Sequence, residues 1–127
     1  MSLLESLRRV LSRSSDRRDR EEAHRLRREA VDFYAEGRYV EAIEAARRLT
    51  QIQRALIGPH HPDLATGLTN LALLLQTQGD WDAAEPLHRE ALAIRKSALG
   101  ERHPDYIASF QSLRHLMQSR FGPAPKR

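Results

Sequence analysis

The tripeptide His61-Pro62-Asp63 returns as His103-Pro104-Asp105, and this interval of 42 residues constrains the fold more than any other feature of the chain. Between the two copies an apolar-periodic run from Leu64 to Gln78 breaks at Gly79-Asp80, then resumes from Trp81 to Leu99 before Gly100. Apolar residues recurring every three or four positions, punctuated by glycine, predict a helix, a tight turn and a second helix. The interval reproduces more than its boundaries. Gly37 pairs with Gly79, Tyr39 with Trp81, Ala42 with Ala84, Ile52 with Ile94 and Gly58 with Gly100, while Leu26, Leu68 and Phe110 form one three-membered series and Phe33, Leu75 and Met117 another. A helical hairpin repeating at this period buries its apolar face only by stacking on its neighbours. The predicted fold class is all-α: an α-solenoid of two full 42-residue repeats with flanking half-repeats.

These units resemble the tetratricopeptide repeat, in the longer form found in kinesin light chains. The resemblance covers roughly residues 23 to 120 and rests on Leu68, Leu71, Ala72, Leu75, Gly79, Trp81, Ala84, Ala91 and Ile94, with Asn70-Leu71-Ala72 and Ala84-Glu85-Pro86-Leu87 as further pieces of the pattern. The ordinary repeat has about 34 residues, and the extra residues here lie around Gly58 and Gly100. The resemblance implies a non-catalytic module that binds a peptide or protein partner on the concave face of the array. It implies that this face carries Arg27 and Tyr34 from the first unit, Thr69, Asn70, Leu73 and Gln76 from the second, and Gln111, Ser112 and His115 from the third. Amides, hydroxyls, an arginine and a tyrosine suit an extended peptide held by its backbone, and Arg27, Arg28, His115 and the basic C-terminal end suit an acidic one. Light-chain-like repeats often carry two adjacent asparagines where this chain has Thr69-Asn70, so half of that match transfers. The same resemblance sets Ala42 against Ala30 and Ala84 against Ala72, small against small, so that paired helices approach closely.

A chain of 127 residues is one domain's worth. Without cysteine it has no disulfide, thiol nucleophile or cysteine-based zinc site, a composition that suits a reducing compartment and a cytoplasmic location. The longest unbroken apolar run, Leu71 to Leu75, falls far short of the roughly 18 residues of a membrane span. The net charge of +4 invites a nucleic-acid reading, but residues 1–105 hold 17 basic and 17 acidic side chains. The whole excess lies after Asp105, in Arg114, Arg120, Lys126 and Arg127. A basic end of this kind makes a nucleic-acid or membrane-surface binder the lesser alternative.

Ser2 with Glu5 three residues on is a capping-box start, and Leu3, Leu4, Leu7, Val10 and Leu11 follow helical spacing. The expected organisation is an N-terminal amphipathic helix within residues 1–15, a repeat domain over 16–121 and a disordered basic tail over 122–127. Ser14-Ser15-Asp16 reads as a break or hinge, with a long helix from Arg17 to Glu36 after it. Shifted by one interval, the N-terminal helix overlays a second helix of the repeat, so it reads either as a degenerate half-repeat or as a docking helix. Pro86 is expected to bend its helix or delay its start, by removing the bond to the Asp82 carbonyl. The third unit stops after one helix. Phe110, Leu113 and Met117 are therefore expected to form an exposed apolar stripe that supports a homodimer, either by self-pairing or by accepting the N-terminal helix of another copy. A self-assembling structural unit follows as the second reading of function.

Candidate chemistry is sparse. His61 and His103 recur because proline suits a first helical turn and aspartate its dipole. Their loops lie too far apart to share a metal at about 2 Å, and no metal site is expected. There is no HExxH, GxSxG, phosphate loop or GxGxxG, so neither a cofactor nor an enzymatic activity is expected.

Overall fold

A computed structural model describes residues 2–122. Five helices follow in order: α1 (Leu3–Ala35), α2 (Tyr39–Ile57), α3 (Pro62–Thr77), α4 (Trp81–Leu99) and α5 (Pro104–Phe121). Each packs chiefly on the one before and the one after it, which is the one-dimensional stacking expected of a helical solenoid.

The turns repeat atom for atom. Gly37 and Gly79 each adopt φ of 75°, a left-handed value open to glycine at little cost. Around them the Arg38 and Asp80 N–H groups donate to the Phe33 and Leu75 carbonyls, at 2.8 and 2.9 Å. The Gly37 and Gly79 N–H groups donate to Tyr34 and Gln76, at 3.1 and 2.9 Å. This Schellman arrangement satisfies the last carbonyls of α1 and α3 and folds α2 and α4 back on them. The His-Pro-Asp tripeptides open α3 and α5 differently from the sequence expectation. The histidine is itself the cap: Nδ1 of His61 accepts from the Asp63 N–H (3.0 Å), and Nδ1 of His103 from that of Asp105 (3.1 Å).

The core comes in three clusters along the stack. Ala23, Leu26, Ala45, Leu49 and Ile52 join α1 to α2; Leu64, Ala65, Leu68, Ala91 and Ile94 join α3 to α4. Ala46, Leu71, Ala72, Leu75, Ala84 and Leu116 tie four helices together, with Trp81 and Met117 packed against them. Surface ion pairs join neighbouring helices, Arg48 with Glu22 (3.2 Å) between α2 and α1 and Arg120 with both Asp82 and Glu85 between α5 and α4, and one reaches past a helix, from Arg54 on α2 to Glu90 on α4.

Four expectations are corrected. The break at Ser14-Ser15-Asp16 does not occur, and α1 is one helix of 33 residues. Serine costs only about half a kilocalorie per mole against alanine inside a helix, and no glycine or proline stands before Gly37 to end it. The N-terminal helix therefore does not pack as a half-repeat. Being collinear with α1 it cannot turn back on it, and every residue from Ser2 to Arg18 is exposed. Pro86 does not delay α4, which starts at Trp81 as α2 starts at Tyr39, because Oδ1 of Asp80 accepts from the Ala83 N–H (3.2 Å) and fixes the start upstream of the ring. The stripe on α5 is not exposed as a whole either. Leu113 is buried and Met117 packs on the core, leaving Phe110 at 49 % exposed. The helix turns Ser109, Leu113 and Leu116 to the core, so of the stripe expected to support a homodimer Phe110 is the exposed member. Of the basic end, Arg120 is taken up by Asp82 and Glu85, while Lys126 and Arg127 lie outside the described residues.

Candidate interaction groove

Because α2 packs on both α1 and α3, the two first helices run side by side with α2 behind them, and a cleft opens between them. It consists of two adjoining hollows of about 480 and 360 Å³ that share Arg27, Leu49, Gly67 and Asn70. Spacings of three and four residues place Arg20, His24, Arg27, Val31 and Tyr34 on one face of α1, and Asp63, Thr66, Asn70, Leu73 and Thr77 on the facing side of α3. The cleft is thus graded. One end is polar and basic, with Arg20, His24 and Arg27; the other is apolar, with Val31, Leu73 and Leu74. Tyr34 stands at the apolar end, its ring edge-on to Tyr39 with centroids 5.5 Å apart.

Of the nine residues singled out from sequence, Arg27, Tyr34, Asn70 and Leu73 line this cleft. Thr69 and Gln76 do not. The Thr69 hydroxyl donates to the Ala65 carbonyl in its own helix (2.9 Å), and Oε1 of Gln76 accepts from Nε2 of His88 on α4. Gln111, Ser112 and His115 sit on α5, outside both hollows.

Two residues in the floor escaped the sequence reading. Oε1 of Gln53 is buried with no hydrogen-bond partner among the described residues, an uncommon state for a buried acceptor. It lies against Gly67, where an added Cβ would come within 2.5 Å of it. One interval on, the corresponding pair is Arg95 and Ser109. There Arg95, a residue only 9 % exposed, donates from its guanidinium to Ser109 Oγ (2.6 Å) and to Thr66 Oγ1 (3.2 Å). A charge so enclosed, with hydroxyls as its hydrogen-bond partners among the described residues, is costly to bury. The signal was present in the sequence as a pair of differences across the repeat interval, Gln53 for Arg95 and Gly67 for Ser109.

His88 is 1 % exposed, and burial holds its pKa below the ordinary 6.5, since the charged ring would lose its hydration. The unfolded chain therefore takes up this proton first. Stability at this site is complete above about pH 6.5 and is lost as pH falls from there toward the folded pKa. Unfolding midpoints measured from pH 7.5 to 5 should fall more steeply for the wild type than for His88→Gln, and parallel curves would show that the ring carries no titration cost.

Among the described residues no three His, Cys, Asp or Glu side chains come together as a metal site, and no helix is long and apolar enough to cross a membrane. No curated protein is similar enough to the chain to count as a match. A family model described as tetratricopeptide repeat matches residues 19–97 and again 63–116, which together span all five helices apart from the first sixteen residues of α1 and the last five of α5. Helical hairpins stacked in order, paired Schellman turns at one interval and this match agree: the chain belongs to the tetratricopeptide repeat family.

Proposed function

We propose that this chain is a non-catalytic interaction module whose α1–α3 cleft holds an extended segment of a partner protein. Tetratricopeptide repeats mediate protein–protein interaction, and the observation that carries the finer reading is the graded cleft itself. An extended peptide laid along it meets Arg20, His24 and Arg27 at one end, Asn70 for its backbone at the centre, and Val31, Tyr34 and Leu73 at the other. The ligand this suits carries carboxylates followed by an aliphatic or aromatic side chain. Gln53 adds to the floor an acceptor with no donor among the described residues. The 42-residue interval, with its His-Pro-Asp helix starts, supports a kinesin light chain-like variant of the repeat, and the absence of cysteine fits a cytoplasmic setting.

The test is an array of ten-residue peptides that combine two or three acidic residues with one apolar residue, followed by titration of the best binder. The variant Arg27→Ala/Tyr34→Ala/Asn70→Ala should weaken binding by more than about tenfold, a loss of about 1.4 kcal/mol or more. Gln111→Ala/His115→Ala should leave it unchanged. The reverse pattern would move the site to α5, and retention of binding by both variants would remove it from the first helices.

A further inference from the structure

We propose that the N-terminal half of α1 is a docking helix for the surface of an anionic lipid bilayer. Leu3, Leu4, Leu7, Val10 and Leu11 are between 51 and 77 % exposed, and α1 has no buried residue before Ala23. The helix is nevertheless built to begin where it does, since Oγ of Ser2 accepts from the Glu5 N–H. At about 100° per residue the five apolar side chains fall within an arc of about 120°, the width of face that an interfacial helix presents. Glu5, the one acid in the first three turns, falls on the opposite side. Arg8 and Arg17 border the arc, where their stems can lie along the apolar surface with the guanidinium among headgroups.

The charge selects the occupant. From Leu3 to Arg18 the helix carries five arginines, Arg8, Arg9, Arg13, Arg17 and Arg18, against Glu5 and Asp16. Arg8, Arg9 and Arg13 make no ion pair among the described residues. A second copy of the helix would bring like charges together. A coiled-coil partner would need an apolar seam sustained for three or four heptads, whereas here the face ends at Leu11 and continues as Ser14, Ser15 and Arg18. A bilayer asks for no interdigitation, only for a short apolar face with cations beside it, and an anionic leaflet attracts each of those cations.

The continuity of α1 fixes what docking would do to the rest of the molecule. The groove face of α1, Arg20 to Tyr34, lies about 140° around the helix from the apolar arc in one sense, and the face that packs on α2, Ala23, Leu26 and Phe33, about 115° from it in the other, so both face away from the arc. A helix lying in the plane of the interface would therefore keep both the repeat stack and its cleft on the aqueous side, with the cleft open.

The test is co-sedimentation of the full chain with vesicles of equal parts phosphatidylglycerol and phosphatidylcholine, against phosphatidylcholine alone. Partitioning should be more than about tenfold stronger onto the anionic vesicles and should fall with added salt. Leu7→Glu/Leu11→Glu and Arg8→Gln/Arg9→Gln/Arg13→Gln should each lower it by more than about tenfold, with the unfolding midpoint unchanged, because none of these side chains is buried. Absence of wild-type partitioning, or its retention by both variants, would overturn the proposal. So would self-association of the wild type in sedimentation equilibrium without vesicles, abolished by Leu7→Glu/Leu11→Glu, which would assign the face to a second copy.

Discussion

Leu116→Ala should cost the fold about 2–5 kcal/mol, whereas Phe110→Ala, six residues earlier on the same helix, should cost less than about 1 kcal/mol. Leu116 is 0 % exposed and lies in the cluster that includes Ala46, Leu71, Ala72, Leu75 and Ala84. Its removal leaves a cavity at the point where α5 meets the helices before it, and the surrounding alanines have no side chain with which to fill it. Phe110 is larger but nearly half exposed, so truncation removes little that was taken from water. Since domains of this size are stable by only about 5–15 kcal/mol, the first variant should show a clearly lower midpoint in urea and the second almost none. Equal losses would mean that α5 packs through Phe110, and that the repeat series containing it describes the core better than the observed burial does.

Enlarging the contact between α3 and α4 should be nearly as damaging. Ala72 and Ala84 are both 0 % exposed and belong to one cluster, so the side chain added in Ala84→Leu has nowhere to go without separating the two helices. Overpacking of this kind costs about 1–3 kcal/mol. The control is Ala55→Leu on α2, an exposed position within a helix, which should stay within about 0.5 kcal/mol of wild type. A neutral Ala84→Leu would show slack at the helix contact and would refute the close approach argued from paired alanines.

The sequence by itself determined the repeat, the turns and most of the helix boundaries. These depend on residues close together in the chain: the glycine that must take a positive φ at Gly37 and Gly79, the proline that opens α3 and α5, and the apolar spacing that decides which face of α2 or α4 turns inward. The same locality explains the error at Ser14-Ser15-Asp16. Three residues with a preference for helix ends read as a break, although the cost of carrying them inside α1 is small beside that of ending a helix with good formers on both sides.

Only the tertiary structure decided which side chains share a surface. Thr69 and Gln76 stand at groove-like positions of α3, yet Thr69 bonds back to Ala65, and Gln76 is drawn to His88 across the helix pair. No periodicity reports that second bond, because it depends on what α4 places opposite. Leu113 and Phe110 are likewise both apolar and three residues apart, and the crossing of α5 over α4 alone determines that the first is buried and the second is not. The cleft belongs to the same class of facts. It exists because α2 packs on both α1 and α3, leaving between the first helices a gap floored by α2, and a gap is a property of three helices at once, which a pattern along one of them does not encode.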